Sequence, residues 1–222
     1  MTKCSFKLSH FKEVFKRAKK LGYVFTTFRD YEKVAASNRL IILRHDIDFR
    51  VDRAYEIAKI EKDLGIRSTF FVRLHAKEYN PFEYISYTIL RQIKDWGFEI
   101  GLHFEALDIG HITGEDVVNL FKREKTILEE ILKVKVVSAV QHGDFSGVSR
   151  NKENHFFNNY TKEDVGILNH PFEDRFFKKM KYISDSFGSW REGCMCQHIG
   201  KFDSLQINIH PIYWFHKFYH LG

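Results

Sequence analysis

Cysteine is scarce in this chain, three among 222 residues. An odd number, with Cys194 and Cys196 only one residue apart, argues against a disulfide framework and favours free thiols in a reducing compartment. Long apolar runs are lacking too: no stretch of about 18 apolar residues occurs, so no integral membrane segment is expected. The start, Met1-Thr2-Lys3-Cys4-Ser5, leads into no apolar signal region, and a soluble cytoplasmic protein is expected. A glycine-rich phosphate loop and a Gly-x-Ser-x-Gly elbow are also absent. Phosphoryl transfer and serine acyl transfer lose support accordingly.

What is present in excess is positive charge, +6 formally with a pI near 9.1. The basic residues are interleaved with acids along helix-like segments. Their densest cluster, Lys12, Lys16, Arg17, Lys19 and Lys20, shares a helix with the apolar residues Phe11, Val14, Phe15, Ala18 and Leu21, which marks it as a solvated face. A basic balance alone specifies no fold or groove, so nucleic acid is not the expected partner; an anionic substrate accounts for the charge equally well. With 44% hydrophobic residues the chain can fill one core, and a single domain spanning 1–222 is expected.

Ser9 reads as the cap of a helix to Leu21, stopped by Gly22. Strand and helix then alternate for about a hundred residues. Strands are expected over Arg39–His45, Arg67–Leu74, Phe98–His103 and Lys135–Gln141, with helices over Val51–Leu64, Phe82–Trp96 and Glu115–Leu132 between them. Asn151–Asn159 reads as a long loop, followed by two short strands, Met180–Ser184 and Leu205–Ile209. Such alternation implies βαβ units and a mostly parallel sheet, either doubly wound or closed into a barrel.

Polar residues of unusual density fall at one kind of place on this map. Asp46 and Asp48 end the first strand, His75 the second, His103 and Glu105 the third, and His142 and Asp144 the fourth. Asp185 and His210 end the last two. In parallel α/β folds, C-terminal strand ends lie on one face, where ligands and catalytic groups are carried. Any single histidine is more often structural than a ligand. Imidazoles and carboxylates at successive strand ends together form a donor set suited to zinc or another divalent transition ion. Cys194-Met195-Cys196-Gln197-His198 is a rival metal segment, but it lacks the wider spacing and second ligand pair of common structural zinc motifs, and reads as a partly buried loop with free thiols.

These segments resemble the polysaccharide deacetylase superfamily, the NodB-homology or carbohydrate esterase family 4 fold, over Ile41–Trp214, and most closely a branch associated with bacterial surface polysaccharide loci. Arg44-His45-Asp46-Ile47-Asp48 is similar to its first motif, Gly97-Phe98-Glu99-Ile100-Gly101-Leu102-His103 to its second, Leu205-Gln206-Ile207-Asn208-Ile209-His210-Pro211 to its last, and Asp185 to Trp190 to an Asp-and-Trp motif near the pocket. The resemblance implies a distorted (β/α) barrel of mostly parallel strands. It implies a metal-dependent N-deacetylase acting on a sugar, with Asp46 as base, His210 as general acid, and Asp48 and His103 as metal ligands.

The family's second histidine, four residues after the first, is replaced here by Leu107. His142 is the preferred third ligand because it lies on the same rim; Glu105 competes, since a strand period of two would carry it to the side of His103. The family's third-motif arginine is missing, and Arg44 is the nearest group to orient Asp46. Arg44, Asp185, Trp190 and Trp214 are expected at the substrate, with Tyr213 beside Trp214. Two further classes stand: a non-catalytic carbohydrate-binding relative, and a metal-dependent hydrolase of a non-sugar amide.

Overall fold

A computed structural model of the chain describes residues 4–143 and 155–215. Asp144 and the first part of the expected loop, 151–154, lie outside the described residues. Among the described residues seven strands are present: β1 Val24–Thr26, β2 Leu40–Ile47, β3 Thr69–Val72, β4 Glu99–Phe104, β5 Ala139–Gln141, β6 Lys181–Ser184 and β7 Ser204–Ile209. All their pairings are parallel, in the order β5-β4-β3-β2-β7-β6, with β1 also paired to β2. β7 lies along one edge of β2, while β1 and β3 share the other, β1 beside Leu40–Ile42 and β3 beside Arg44–Ile47. The sheet curls into an open barrel. Its two end strands, β5 and β6, do not pair, and between them Asn169 bridges Ser138 and Gln206 donates to the carbonyls of Pro171 and Phe176.

Five helices of eight residues or more accompany it: α1 Leu8–Lys20, α2 Val51–Leu64, α3 Tyr84–Asp95, α4 Ala106–Thr113 and α5 Val117–Leu132. Period two along each strand separates two cores. Ile41, Leu43 and Ile47 of β2 face outward to the helices in one core; Leu40 and Ile42 face inward with Phe28, Phe71, Val140, Phe176 and Met180 in the other. Gly101 of β4 makes room for that interior, because a Cβ there would lie 2.5 Å from the Phe71 ring and 3.0 Å from the Ser138 carbonyl. The sidedness continues past the apolar run, so Arg44 and Asp46 share the inward face of β2.

The structure departs from the sequence reading in several places. α1 starts at Leu8, and Ser9 caps nothing; the preceding residue, Lys7, bridges Phe215, whose carbonyl accepts from the Leu8 amide at 3.0 Å. A tertiary contact does the work assigned to a side-chain cap. β1 and α4 were not expected, the first being three residues long and the second lying within a supposed strand-to-helix connection. Phe156–Asn159 is a helical turn rather than loop, with Phe156 buried against Phe104 and Phe121. Helix α2, by contrast, has the expected ends, closed by Gly65 at φ 63°.

Candidate active site

The inward face of β2 carries Asp46, and its end carries Asp48. Asp46 is fixed through one oxygen only: Oδ2 accepts from Arg44 Nη2 and from Asn208 Nδ2 of β7, both at 3.1 Å. Its Oδ1 is buried and accepts no hydrogen bond. The intervening His45 points outward, where its Nε2 lies 2.7 Å from Glu61 of α2; Ser68 donates to the same carboxylate. His45 therefore anchors a helix to the sheet and takes no part in the pocket.

β4 delivers His103 and the end of β5 delivers His142. The Nδ1 of His103 donates to the Val140 carbonyl at 3.0 Å, and its Nε2 lies 3.1 Å from Asp48 Oδ1. His142 places Nε2 3.8 Å from the same oxygen and Nδ1 3.3 Å from Glu105 Oε1. Ligand atoms of Asp48, His103 and His142 all lie within 4.8 Å of one another. A tetrahedral ion with bonds of about 2.1 Å needs ligand atoms about 3.4 Å apart, which the two separations bracket. Asp48 Oδ1, buried and without a hydrogen-bond partner, also fits a metal ligand. The three residues suit a divalent ion.

Glu105 has a different position from the one its spacing suggested. It follows β4 as the residue before α4, and Arg73 Nη2 donates to its Oε1 at 2.6 Å. With Nδ1 of His142 near the same oxygen, Glu105 stands behind the His142 ring, an arrangement that fixes ring orientation and raises basicity. Burial pushes its carboxyl up, but His142 and Arg73 outweigh this and hold it at about 2. Asp48 behaves alike: burial raises it, His103, His210 and His142 pull it down, and it settles at about 2. Leu107 lies in α4 and packs against the outer core, so that position offers the pocket no donor.

Opposite this group stands His210. Its Nε2 lies 3.9 Å from Asp46 Oδ2 and 3.8 Å from Asp48 Oδ2. Its Nδ1 is 2.6 Å from Asp185 Oδ1, which also accepts the His210 amide at 2.9 Å. Burial disfavours the imidazolium, but the bond to Asp185 and the charges of Asp185, Asp46 and Asp48 prevail and raise it to about 9. The pocket thus pairs acids held ionised with an imidazole held protonated.

Of the residues expected at the substrate, three are supports. Arg44 and Asp185 are buried and committed to Asp46 and His210. Trp214 is fully buried at 0% exposure, and its Nε1 donates to Asp185 Oδ2 at 2.8 Å. An enclosed ring cannot stack on a sugar, so Trp214 leaves the set of substrate-facing residues. Trp190 is partly buried, stacked on Phe6. His75 stays out of the pocket, with Nε2 3.2 Å from Glu124 of α5.

The sequence reading missed Asn208, which marks itself only as a polar residue at an inward β7 position. Phe187, in the turn after Asp185, is 83% exposed and held at φ 59°. A non-glycine residue in that region is uncommon, and strain of this kind clusters at functional sites.

This parallel open barrel, with polar groups gathered on its C-terminal rim, has a fold similar to that of solved carbohydrate deacetylases. The peptidoglycan deacetylase PdaC from Bacillus subtilis, solved as a mutant, is 15% identical at a TM-score of 0.50, over 80% of this chain and 77% of that one. The Streptococcus pyogenes deacetylase PplD, in complex with acetate, is 12% identical with a TM-score of 0.49, over 91% and 83%. A mutant of BA3943, a CE4 family pseudoenzyme with restored enzymatic activity, is 12% identical with a TM-score of 0.48, over 79% of this chain but 57% of that one. No family model matches the chain, and no curated protein matches it. The relationship is one of fold. No helix among the described residues is long and apolar enough to cross a membrane.

Proposed function

We propose that this protein is a metal-dependent hydrolase that removes an N-acetyl group from a sugar of a surface polysaccharide or its precursor. The observation that carries this reading is a division of labour: the candidate ligand atoms of Asp48, His103 and His142 gathered within 4.8 Å, faced by a carboxylate with one unengaged oxygen and by an imidazolium. Asp48, His103 and His142 would hold the ion, and two imidazoles with one carboxylate favour zinc with a position left open. When bound, it supplies a Lewis acid that polarises the acetyl carbonyl and makes water more acidic.

The remaining work falls to the chain itself. Asp46, oriented by Arg44 and Asn208, accepts through Oδ1 the proton that water loses as its oxygen bonds to the carbonyl carbon. His210, charged and held by Asp185, donates from Nε2 to the sugar nitrogen as the carbon–nitrogen bond breaks. Acetic acid and a free amine leave, the acid's proton passes to solvent or to the amine to give acetate, and the proton on Asp46 restores His210 through solvent. Tyr213, whose ring centroid lies 6.0 Å from that of His210, would supply aromatic surface for the sugar ring.

The test is acetate release from a panel of N-acetylated saccharides by the zinc-loaded protein. Wild type is expected to release acetate, and Asp46→Asn to bind zinc normally while losing about 10²–10⁴ in rate. Saccharide retention without acetate release would instead make the protein a carbohydrate-binding relative. Release only from non-sugar amides would reassign the substrate.

A further inference from the structure

The fold joins two parts of the chain that the sequence keeps 184 positions apart: the Nε2 of His10, in α1, lies 3.4 Å from the Sγ of Cys194. Cys196 follows after one residue, and Cys4 approaches from the segment before α1. The three sulfurs and the His10 nitrogen all lie within 4.8 Å of one another. We propose that Cys4, His10, Cys194 and Cys196 form a second metal site, a structural zinc clasp separate from the catalytic pocket.

Three cysteines and a histidine are a complete tetrahedral donor set of the kind used in closed structural sites. With sulfur at about 2.3 Å and nitrogen at about 2.0–2.1 Å from the ion, adjacent S and N ligands stand about 3.5–3.6 Å apart, close to the His10–Cys194 separation. His10 is 4% exposed, its Nδ1 has no hydrogen-bond partner, and its Nε2 meets the Cys194 sulfur. A disulfide would use two thiols and give this buried imidazole no role. The loop is built to turn here: Gly193 adopts φ 87°, and the Gln197 amide donates to the Cys194 carbonyl at 2.8 Å. Three thiolates around Zn²⁺ leave one negative charge, and Arg17, whose Nη1 donates to the Cys196 carbonyl at 3.2 Å, stands beside it.

The clasp would also brace the catalytic side. Phe6, two residues after Cys4, stacks on Trp190 with centroids 6.1 Å apart and meets Trp214 edge-on at 5.4 Å. Trp214 in turn donates to Asp185, the partner of His210.

Cobalt(II) added to reduced, metal-depleted full-length protein distinguishes the two sites, because only thiolate ligation gives an intense sulfur-to-cobalt charge-transfer band. The band is expected in wild type and in His103→Ala, which weakens the catalytic site alone, and is expected to fall strongly in Cys4→Ser and Cys196→Ser. Zinc counting on protein purified with zinc under reducing conditions should find one ion in His103→Ala, released as a mercurial titrates three thiols. Chelation should then lower the melting temperature of that variant. Absence of the band in reduced wild type, its persistence in both serine variants, or a zinc count of zero in His103→Ala would overturn the clasp. None of these readouts depends on deacetylation.

Discussion

Asp185 holds His210 by two bonds to one oxygen, from the ring Nδ1 at 2.6 Å and from the backbone amide at 2.9 Å. The pair fixes both the aim of the imidazole and its charge. The imidazolium is the proposed donor, so activity is available below its pKa of about 9 and is lost as pH rises through it. Asp185→Asn removes the principal raising charge and should move the alkaline limb of kcat to lower pH, with a rate loss of about 10²-fold or more at neutral pH. An unmoved limb would show that another group donates the proton.

Metal affinity should separate ligands from their supports. His142→Ala is expected to abolish stoichiometric binding at the catalytic site, whereas Glu105→Gln, acting through His142, should weaken it about 10- to 100-fold. Calorimetric titration with zinc in a Cys4→Ser background isolates this site. If His142→Ala binds as wild type does and Glu105→Ala does not, the third ligand is Glu105.

His45 should matter for stability and not for metal. Its ring and Glu61 are both fully buried, and His45→Leu would leave the carboxylate with Ser68 as its remaining bond. A loss of about 1–3 kcal/mol in urea unfolding is expected, with zinc affinity at Asp48 unchanged.

Acid should destabilise the metal-free protein in a definite window. Asp48 and Glu105 sit at about 2 in the fold against ordinary values of 3.8 and 4.5, so the unfolded chain binds more protons between those limits. Their stabilisation is complete above the ordinary values and is lost as pH falls toward 2. Melting temperature measured from pH 6 downward should drop through this window, less steeply in Glu105→Gln; parallel curves would show that Glu105 contributes nothing to it.

Much of the scaffold is local information. The apolar run Leu40–Leu43, the helix Val51–Leu64 with its Gly65 stop, and the order of alternating elements follow from periodicity and termination signals over a dozen residues. Strand ends carrying Asp48, His103, His142 and His210 were legible for the same reason, since parallel strands place their C-terminal ends on one rim. Short elements such as β1, held by its pairing with β2 more than by its own three residues, were not.

The sequence by itself determined the strand-and-helix order and the rim on which the polar groups gather. Only the tertiary structure decided what each group touches: that Glu105 stands behind His142, that Trp214 is enclosed beneath Asp185, and that Cys4 and His10 meet Cys194 and Cys196. The physical reason is range. Periodicity and capping act over one or two turns of chain, whereas ligand sets and ion pairs depend on side-chain atoms a few ångströms apart that come from elements up to 192 positions apart, as Cys4 and Cys196 are.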